Sequence, residues 1–218
     1  MTPTPRPAPP AIPALGTGPV RAVLFDADGV LQLIGTPWDQ ALTAGGGAEF
    51  CRRLLAEEGA ALEGRESLRT LLERLSGELG LTASAEQLLE LWWRATPDPV
   101  AWQIVRDLKQ AGYTTVLATN QQHERRAWMR SALGYDGLCD IDAYSCTLGA
   151  AKPSPSYFRA VLELAGVTPQ EALFVDDNAA NISAAGALGI RTVHHPADAG
   201  GALLRQEVVA ALQDAPRP

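Results

Sequence analysis

Cysteine is scarce in this chain, with only Cys51, Cys139 and Cys146 among 218 residues. The number is odd and no CxxC pair occurs, which excludes the disulfide framework of a small secreted domain. Free thiols in a reducing cytosol fit better, so a cytoplasmic location is expected. Of the few histidines, His194 and His195 are adjacent but have no Cys or His cluster to join, which argues against a zinc centre. No stretch approaches the roughly 18–20 apolar residues of a membrane span, so no membrane partner is expected. The phosphate-cradling patterns GxGxxG and GxxxxGK(S/T) are both missing, and Gly77 and Gly80 do not form one. The formal charge of -7 leaves no general attraction for nucleic acid or an anionic bilayer. It does not exclude an anionic substrate, because a metal ion and local donors can reverse the field inside a pocket.

Hydrophobic residues make up 46% of the chain and charged residues 20%, the balance of a soluble globular protein able to bury a sizeable core. Residues 1–19 are rich in Pro and small residues, with Arg6 their only charge and no continuous apolar run of a signal peptide. A disordered tail is expected there. Apolar runs at 20–26, 114–118 and 172–175 predict strands, with further strands at 141–145 and 191–194. Residues 30–35 predict a short hairpin or a packed loop. Helical spacing predicts helices over 99–110, 123–133, 154–165, 181–188 and 201–212. Strands alternating with helices predict a largely parallel sheet covered on both faces. Between Trp38 and Thr96 the reading changes. Glu49–Glu58, Arg65–Leu79 and Ala85–Ala95 carry apolar residues at helical spacing, separated by glycines, and no strand is evident. The expected organisation is a tail at 1–19, a core from 20–36 and 97–214, and a helical cap inserted at 37–96.

Four polar clusters follow strand ends: Asp26-Ala27-Asp28-Gly29, Thr119-Asn120, Lys152-Pro153 and Asp176-Asp177-Asn178. In a parallel sheet such positions converge on one edge, where open α/β sheets bind ligands. Neighbouring carboxylates there need a cation, a shared proton or hydrogen-bond donors.

These clusters, in this order and with a helical insert after the first, resemble the haloacid dehalogenase-like hydrolase superfamily. The resemblance covers about residues 20–195 and implies a Rossmann-like three-layer sandwich with a small cap. The DxDGV form of the first cluster resembles the phosphatase and phosphomutase branch; true dehalogenases lack the second Asp. By resemblance, Asp26 is the nucleophile on phosphorus and Asp28 the general acid and base, its backbone carbonyl contacting metal. Thr119 and Asn120 are the phosphoryl donors, and Lys152 balances charge on Asp26 and the phosphoryl group. Asp26, Asp28 and Asp177 are the expected Mg2+ contacts, with Asp176 and Asn181 supporting them. Many relatives carry another Asp where Asn181 stands, so weaker metal binding is implied here.

The implied activity is Mg2+-dependent hydrolysis of a small phosphorylated metabolite, such as a sugar phosphate, by a monomer or homodimer. A phosphomutase of the β-phosphoglucomutase type, using the same residues, is the alternative; a non-catalytic binding domain is a more distant one. His123 is expected either to touch substrate or to start a surface helix. Trp38, Trp92 and Trp93 are candidate pocket walls, and Arg65, Glu66 and Arg94 either reach the pocket or form a solvated helix face.

Overall fold

In the computed structural model, which describes residues 8–214, the first apolar run becomes β1 (Ala22–Phe25), all four residues of which are fully buried. A strand buried on both faces belongs in the middle of a sheet. After it come β2 (Gln32–Leu33) and the helices α1 (Trp38–Glu57), α2 (Gly59–Leu62), α3 (Leu68–Leu79) and α4 (Ala85–Leu89). A single 3-10 turn at Glu90–Trp92 and the short strand β3 (Thr96–Pro97) follow. The chain then alternates through α5 (Pro99–Gln110), β4 (Thr114–Thr119), α6 (His123–Leu133), β5 (Ile141–Tyr144) and α7 (Ser145–Leu148). It ends with α8 (Pro155–Ala165), β6 (Ala172–Asp176), α9 (Ala179–Ala187), β7 (Arg191–His194) and α10 (Gly201–Gln213).

The main sheet has five strands in the order β5-β4-β1-β6-β7, and every neighbouring pair is parallel. Side chains alternate across it with period two. Val23, Phe25, Leu117 and Val175 face Ile104 and Leu108 of α5, Met129 of α6 and Leu204 of α10. Leu24, Val116 and Phe174 face Phe158 and Val161 of α8 and Ala185 of α9 on the other side. The result is the expected three-layer α/β sandwich. From β1 the chain moves out to β4 and β5, then returns to β6 and β7 on the opposite flank. That reversal places a topological switch point at the carboxyl end of β1. Register brings the strand ends level, with Phe25 beside both Leu117 and Val175.

The inserted helices have an apolar cluster of their own, including Leu42, Phe50, Leu54, Leu72, Leu75 and Trp92. The helix expected over Glu49–Glu58 extends back to Trp38, with a break at Gly47, whose φ of 88° no helix can contain. The helix expected to reach Ala95 stops at Leu89, because Trp92 and Trp93 pack on different partners: Trp92 on Trp38, and Trp93 on Trp128 of α6. At the two crossings between insert and sheet, Gln32 pairs with Pro97 and Leu33 with Thr96 in a short antiparallel ribbon. Strands of two residues leave no periodic signal, which is why β3 was not expected.

Part of the segment expected as a disordered tail is described. Residues 1–7 lie outside the described residues, but 8–19 run along the core without forming helix or strand. Ile12 packs on the apolar cluster, and the Leu15 N–H donates to the Ala111 carbonyl at 3.1 Å. One apolar anchor and one turn are enough to dock a proline-rich segment whose composition alone reads as free. The three cysteines are buried and unpaired. Among the described residues, no helix is long and apolar enough to cross a membrane.

Candidate active site

Asp26 emerges directly from β1 and is 8% exposed. Its Oδ1 accepts from the Ala27 N–H at 2.7 Å and lies 3.0 Å from Nζ of Lys152. Lys152 is one of only two lysines in the chain, and its side chain is 1% exposed. The same Nζ donates to Oδ2 of Asp176 at 2.6 Å. The loop carrying this ammonium is pinned to the end of β4. Asn120 Nδ2 donates to the Lys152 carbonyl, and the Lys152 N–H donates to Asn120 Oδ1, both at 2.8 Å. The Asn120 amide thus engages Lys152 through one N–H and its carbonyl oxygen. The second N–H of its amide and its main-chain N–H remain as donors, and Asn120 lines the cavity above this edge.

Asp176 is fully buried at the end of β6. Its carboxylate accepts from the Asn178 N–H at 2.8 Å and from Asn181 Nδ2 at 3.1 Å, besides Lys152. Asn181 therefore holds Asp176. Carboxylate oxygens of Asp26, Asp176 and Asp177 all lie within 4.8 Å of one another. Three carboxylates facing one ammonium leave two negative charges in excess, which a divalent cation would neutralise. Electrostatics agree. Burial pushes the Asp26 carboxyl up to about 7, opposed by Lys152 and aided by repulsion from Asp176, Asp177 and Asp28. Burial, then Asp176, pushes Asp177 up to about 6. Lys152 is desolvated too, yet Asp26 and Asp176 hold its pKa above the ordinary value. A buried set of hard oxygen donors that resists ionising on its own fits a cation such as Mg2+. Asp176 is the carboxylate already saturated by donors, so Asp26 and Asp177 have the freer oxygens. The Asp28 carboxylate is not part of the group.

Asp28 is turned another way. Its Oδ1 accepts from Nε2 of Gln32 and, at 2.8 Å, from Nη2 of Arg125, while Oδ2 is 3.5 Å from Gln121 Nε2. Arg125 is 1% exposed, donates also to the Trp92 carbonyl at 2.5 Å, and stacks 4.7 Å from the Trp38 ring centroid. One buried guanidinium thus joins the second Asp of the first motif to the inserted helices. The Thr119 hydroxyl is buried and accepts from Gln121 Nε2 at 3.1 Å, which leaves its own proton to donate.

Gly29 makes the turn that brings these groups together. Its φ is +76°, and a Cβ there would lie 2.6 Å from Oδ2 of Asp177. Gly29→Ala is therefore expected to cost about 1–3 kcal/mol of stability and to displace Asp177. Thermal melts with and without Mg2+ check this: the variant should show both a lower baseline and a smaller shift on adding the ion.

A cavity of about 330 Å³ opens above this edge, at the small end of the about 300–1,000 Å³ usual for ligand sites. Asp26, Asp28, Thr119, Lys152, Asp177 and Asn181 line it from the sheet domain, and Trp38, Leu42, Leu55, Glu58, Leu62 and Trp92 from the insert. Trp93 does not line it, and Arg94 instead stacks 4.4 Å from the Trp38 centroid. Arg65 pairs with Glu63 at the surface, and Nε2 of His123 faces Gly64, away from the cavity wall. His194 Nε2 bonds the Asp177 carbonyl at 2.8 Å, and His195 Nδ1 bonds Glu207 at 2.6 Å. Arg125, Glu58, Gln121 and Gln122 were not foreseen.

A cluster of buried carboxylates at the switch point of a doubly wound sheet, beside a cavity lined in part by inserted helices, fits a hydrolase-type site. The chain matches the haloacid dehalogenase-like hydrolase family over residues 20–189 and belongs to it. Among curated relatives, (S)-2-haloacid dehalogenase 1 of Pseudomonas sp. (strain CBS-3) is 30% identical, over 80% of this chain and 84% of its own. Phosphoglycolate phosphatase of Pseudomonas putida is 31% identical, over 82% of this chain and 70% of its own. Acyl-CoA dehydrogenase family member 10 of Mus musculus is 27% identical over 79% of this chain, which spans only 18% of that longer protein. A HAD family enzyme of Bacteroides thetaiotaomicron, solved with magnesium and inorganic phosphate, shares the fold at a TM-score of 0.68. It is 22% identical, with 80% of this chain and 93% of the other aligned.

Proposed function

We propose that this chain is a Mg2+-dependent phosphatase that hydrolyses a small phosphate monoester through an aspartyl-phosphate on Asp26. The observation that carries the reading is the excess of carboxylate over ammonium around Asp26, Asp176 and Asp177. An anionic substrate is repelled from such a site unless a dication accompanies it. The magnesium and phosphate held by the Bacteroides enzyme, and the phosphatase named among the relatives, support the same choice.

In this reading the Asp26 carboxylate attacks phosphorus as the bond to the leaving alcohol breaks. Asp28 gives that oxygen a proton through Oδ2, the oxygen that Arg125 and Gln32 leave less engaged. Lys152 and the Thr119 hydroxyl hold the phosphoryl oxygens, with Asn120 fixing the Lys152 loop. Asp28 then takes a proton from the water that cleaves the acyl-phosphate. Asp26, Asp177 and the Asp28 carbonyl would hold Mg2+, which would supply positive charge against the nucleophile and the phosphoryl group. Residues 37–96 act as a cap on the core formed by 20–36 and 97–214, excluding bulk water from the acyl-phosphate.

Release of inorganic phosphate from p-nitrophenyl phosphate and a panel of small monoesters tests the proposal. Turnover should require Mg2+ and disappear in EDTA. Halide release from a 2-haloacid with no phosphate release from any ester would overturn it.

A further inference from the structure

On the insert side of the cavity, the wall is apolar except at one point. Leu42, Leu55, Leu62, Trp38 and Trp92 surround Glu58, which follows the last turn of α1. Glu58 Oε2 accepts from Nε2 of Gln122 at 3.0 Å, its one hydrogen-bond partner among the described residues. Gln122 is 3% exposed, also lines the cavity, and leaves its Oε1 buried with no partner. Glu58 thus presents an acceptor on the wall of the space where the leaving group would sit, with Gln122 bound behind it. Among the described residues lining the cavity, Lys152 is the only cation, and Asp26 and Asp176 already engage it.

We propose that Glu58, with Gln122, selects leaving groups that present a hydrogen-bond donor, and rejects those that carry a carboxylate. The inference rests on the phosphatase reading above and names the substrate class within it. A hydroxyl or an ammonium on the leaving group donates to Glu58. A carboxylate would meet Glu58 in a partly desolvated space with no compensating cation, and like charges so placed repel strongly. Burial pushes the Glu58 carboxyl up to about 7, which is the behaviour of an acid without a cationic partner. Phosphoglycolate, named for the Pseudomonas putida relative, bears a carboxylate; this chain should discriminate against it.

The test compares three esters of similar length: glycerol 3-phosphate, 3-phosphoglycerate and 3-aminopropyl phosphate, with Mg2+ near pH 8, where Glu58 is ionised. The wild-type kcat/KM should favour the hydroxyl and amine esters over 3-phosphoglycerate by roughly tenfold or more. Equal values for hydroxyl and amine indicate recognition of a donor, and a preference for the amine indicates recognition of charge; both support the proposal. Glu58→Gln should bring the ratio toward one, Glu58→Arg should invert it, and Glu58→Asp should keep the order. A wild-type chain that accepts 3-phosphoglycerate equally overturns the proposal without any variant. So does an unchanged ratio in Glu58→Gln, if that variant still cleaves p-nitrophenyl phosphate. If the wild type cleaves no phosphate ester at all, p-nitrophenyl phosphate included, the phosphatase reading falls and this selection falls with it.

Discussion

Asp26→Asn is expected to lower phosphate release by at least about a thousandfold, as removing a nucleophile does, and yet to raise the melting temperature of the metal-free chain. The two effects have one cause. The Asp26 carboxylate, the nucleophile in the proposed reaction, is held in a buried site beside Asp176 and Asp177, which disfavours its ionised form. Its folded pKa of about 7 lies above the ordinary 3.8, so the folded chain binds a proton that the unfolded chain releases. Stability from this group is therefore fully present below about pH 4 and is lost as pH rises toward about 7. Above that, the ionised carboxylate is a standing penalty on the order of 4 kcal/mol without metal. Asparagine fills the same space without the charge. Its advantage over the wild type should be smaller near pH 5 and largest near pH 8. Mg2+ should reverse the order, because binding to the native state stabilises the chain that retains its ligand. Melting curves at two pH values, each with Mg2+ and with EDTA, read all four conditions. A variant that melts lower than wild type in EDTA near pH 8 would show that Asp26 is not a strained charge.

What could be read beforehand follows from how local each signal is. Asp26, Thr119, Lys152 and Asp176 each stand beside a strand or helix start, so residue type and position together pointed to one sheet edge. Arg125 carries no such mark. It is one basic residue in the run Glu124-Arg125-Arg126 of a surface-like helix, and its partner Asp28 is 97 positions away. Glu58 and Gln122 are likewise 64 positions apart, and neither is unusual for its own helix end. Asn120 was placed at the site, but the direction of its amide depends on the backbone of Lys152, which the sequence cannot order in space. The insert was visible as a change of period from strands to helices. Its closing ribbon, β2 with β3, was not, because two-residue strands have no period to detect. Contacts within one element were thus readable, and pairings between distant elements were not.

Lys152→Met should do the opposite of Asp26→Asn to stability while matching its effect on turnover. Methionine keeps the length and apolar stem of the side chain, so the loss isolates the ammonium. Asp176, fully buried, then retains only the Asn178 N–H and the Asn181 amide. Breaking a buried ion pair from one side costs about 3–5 kcal/mol, because the remaining charge is uncompensated. Here one ammonium serves two carboxylates, so the cost should lie at the upper end in EDTA. Mg2+ should recover part of it, and should raise the melting temperature of Lys152→Met by more than that of the wild type. Turnover should stay at least about a thousandfold down even with Mg2+ present, since in the proposed mechanism the phosphoryl oxygens lose a donor that the metal does not replace. Combining Lys152→Met with Asp26→Asn supplies the cycle. If the two residues form one charge balance, the double variant should be more stable than the sum of the single effects predicts, by about 0.5–3 kcal/mol. Additive effects would mean that Lys152 serves Asp176 alone, and that Asp26 has no ammonium to restrain it.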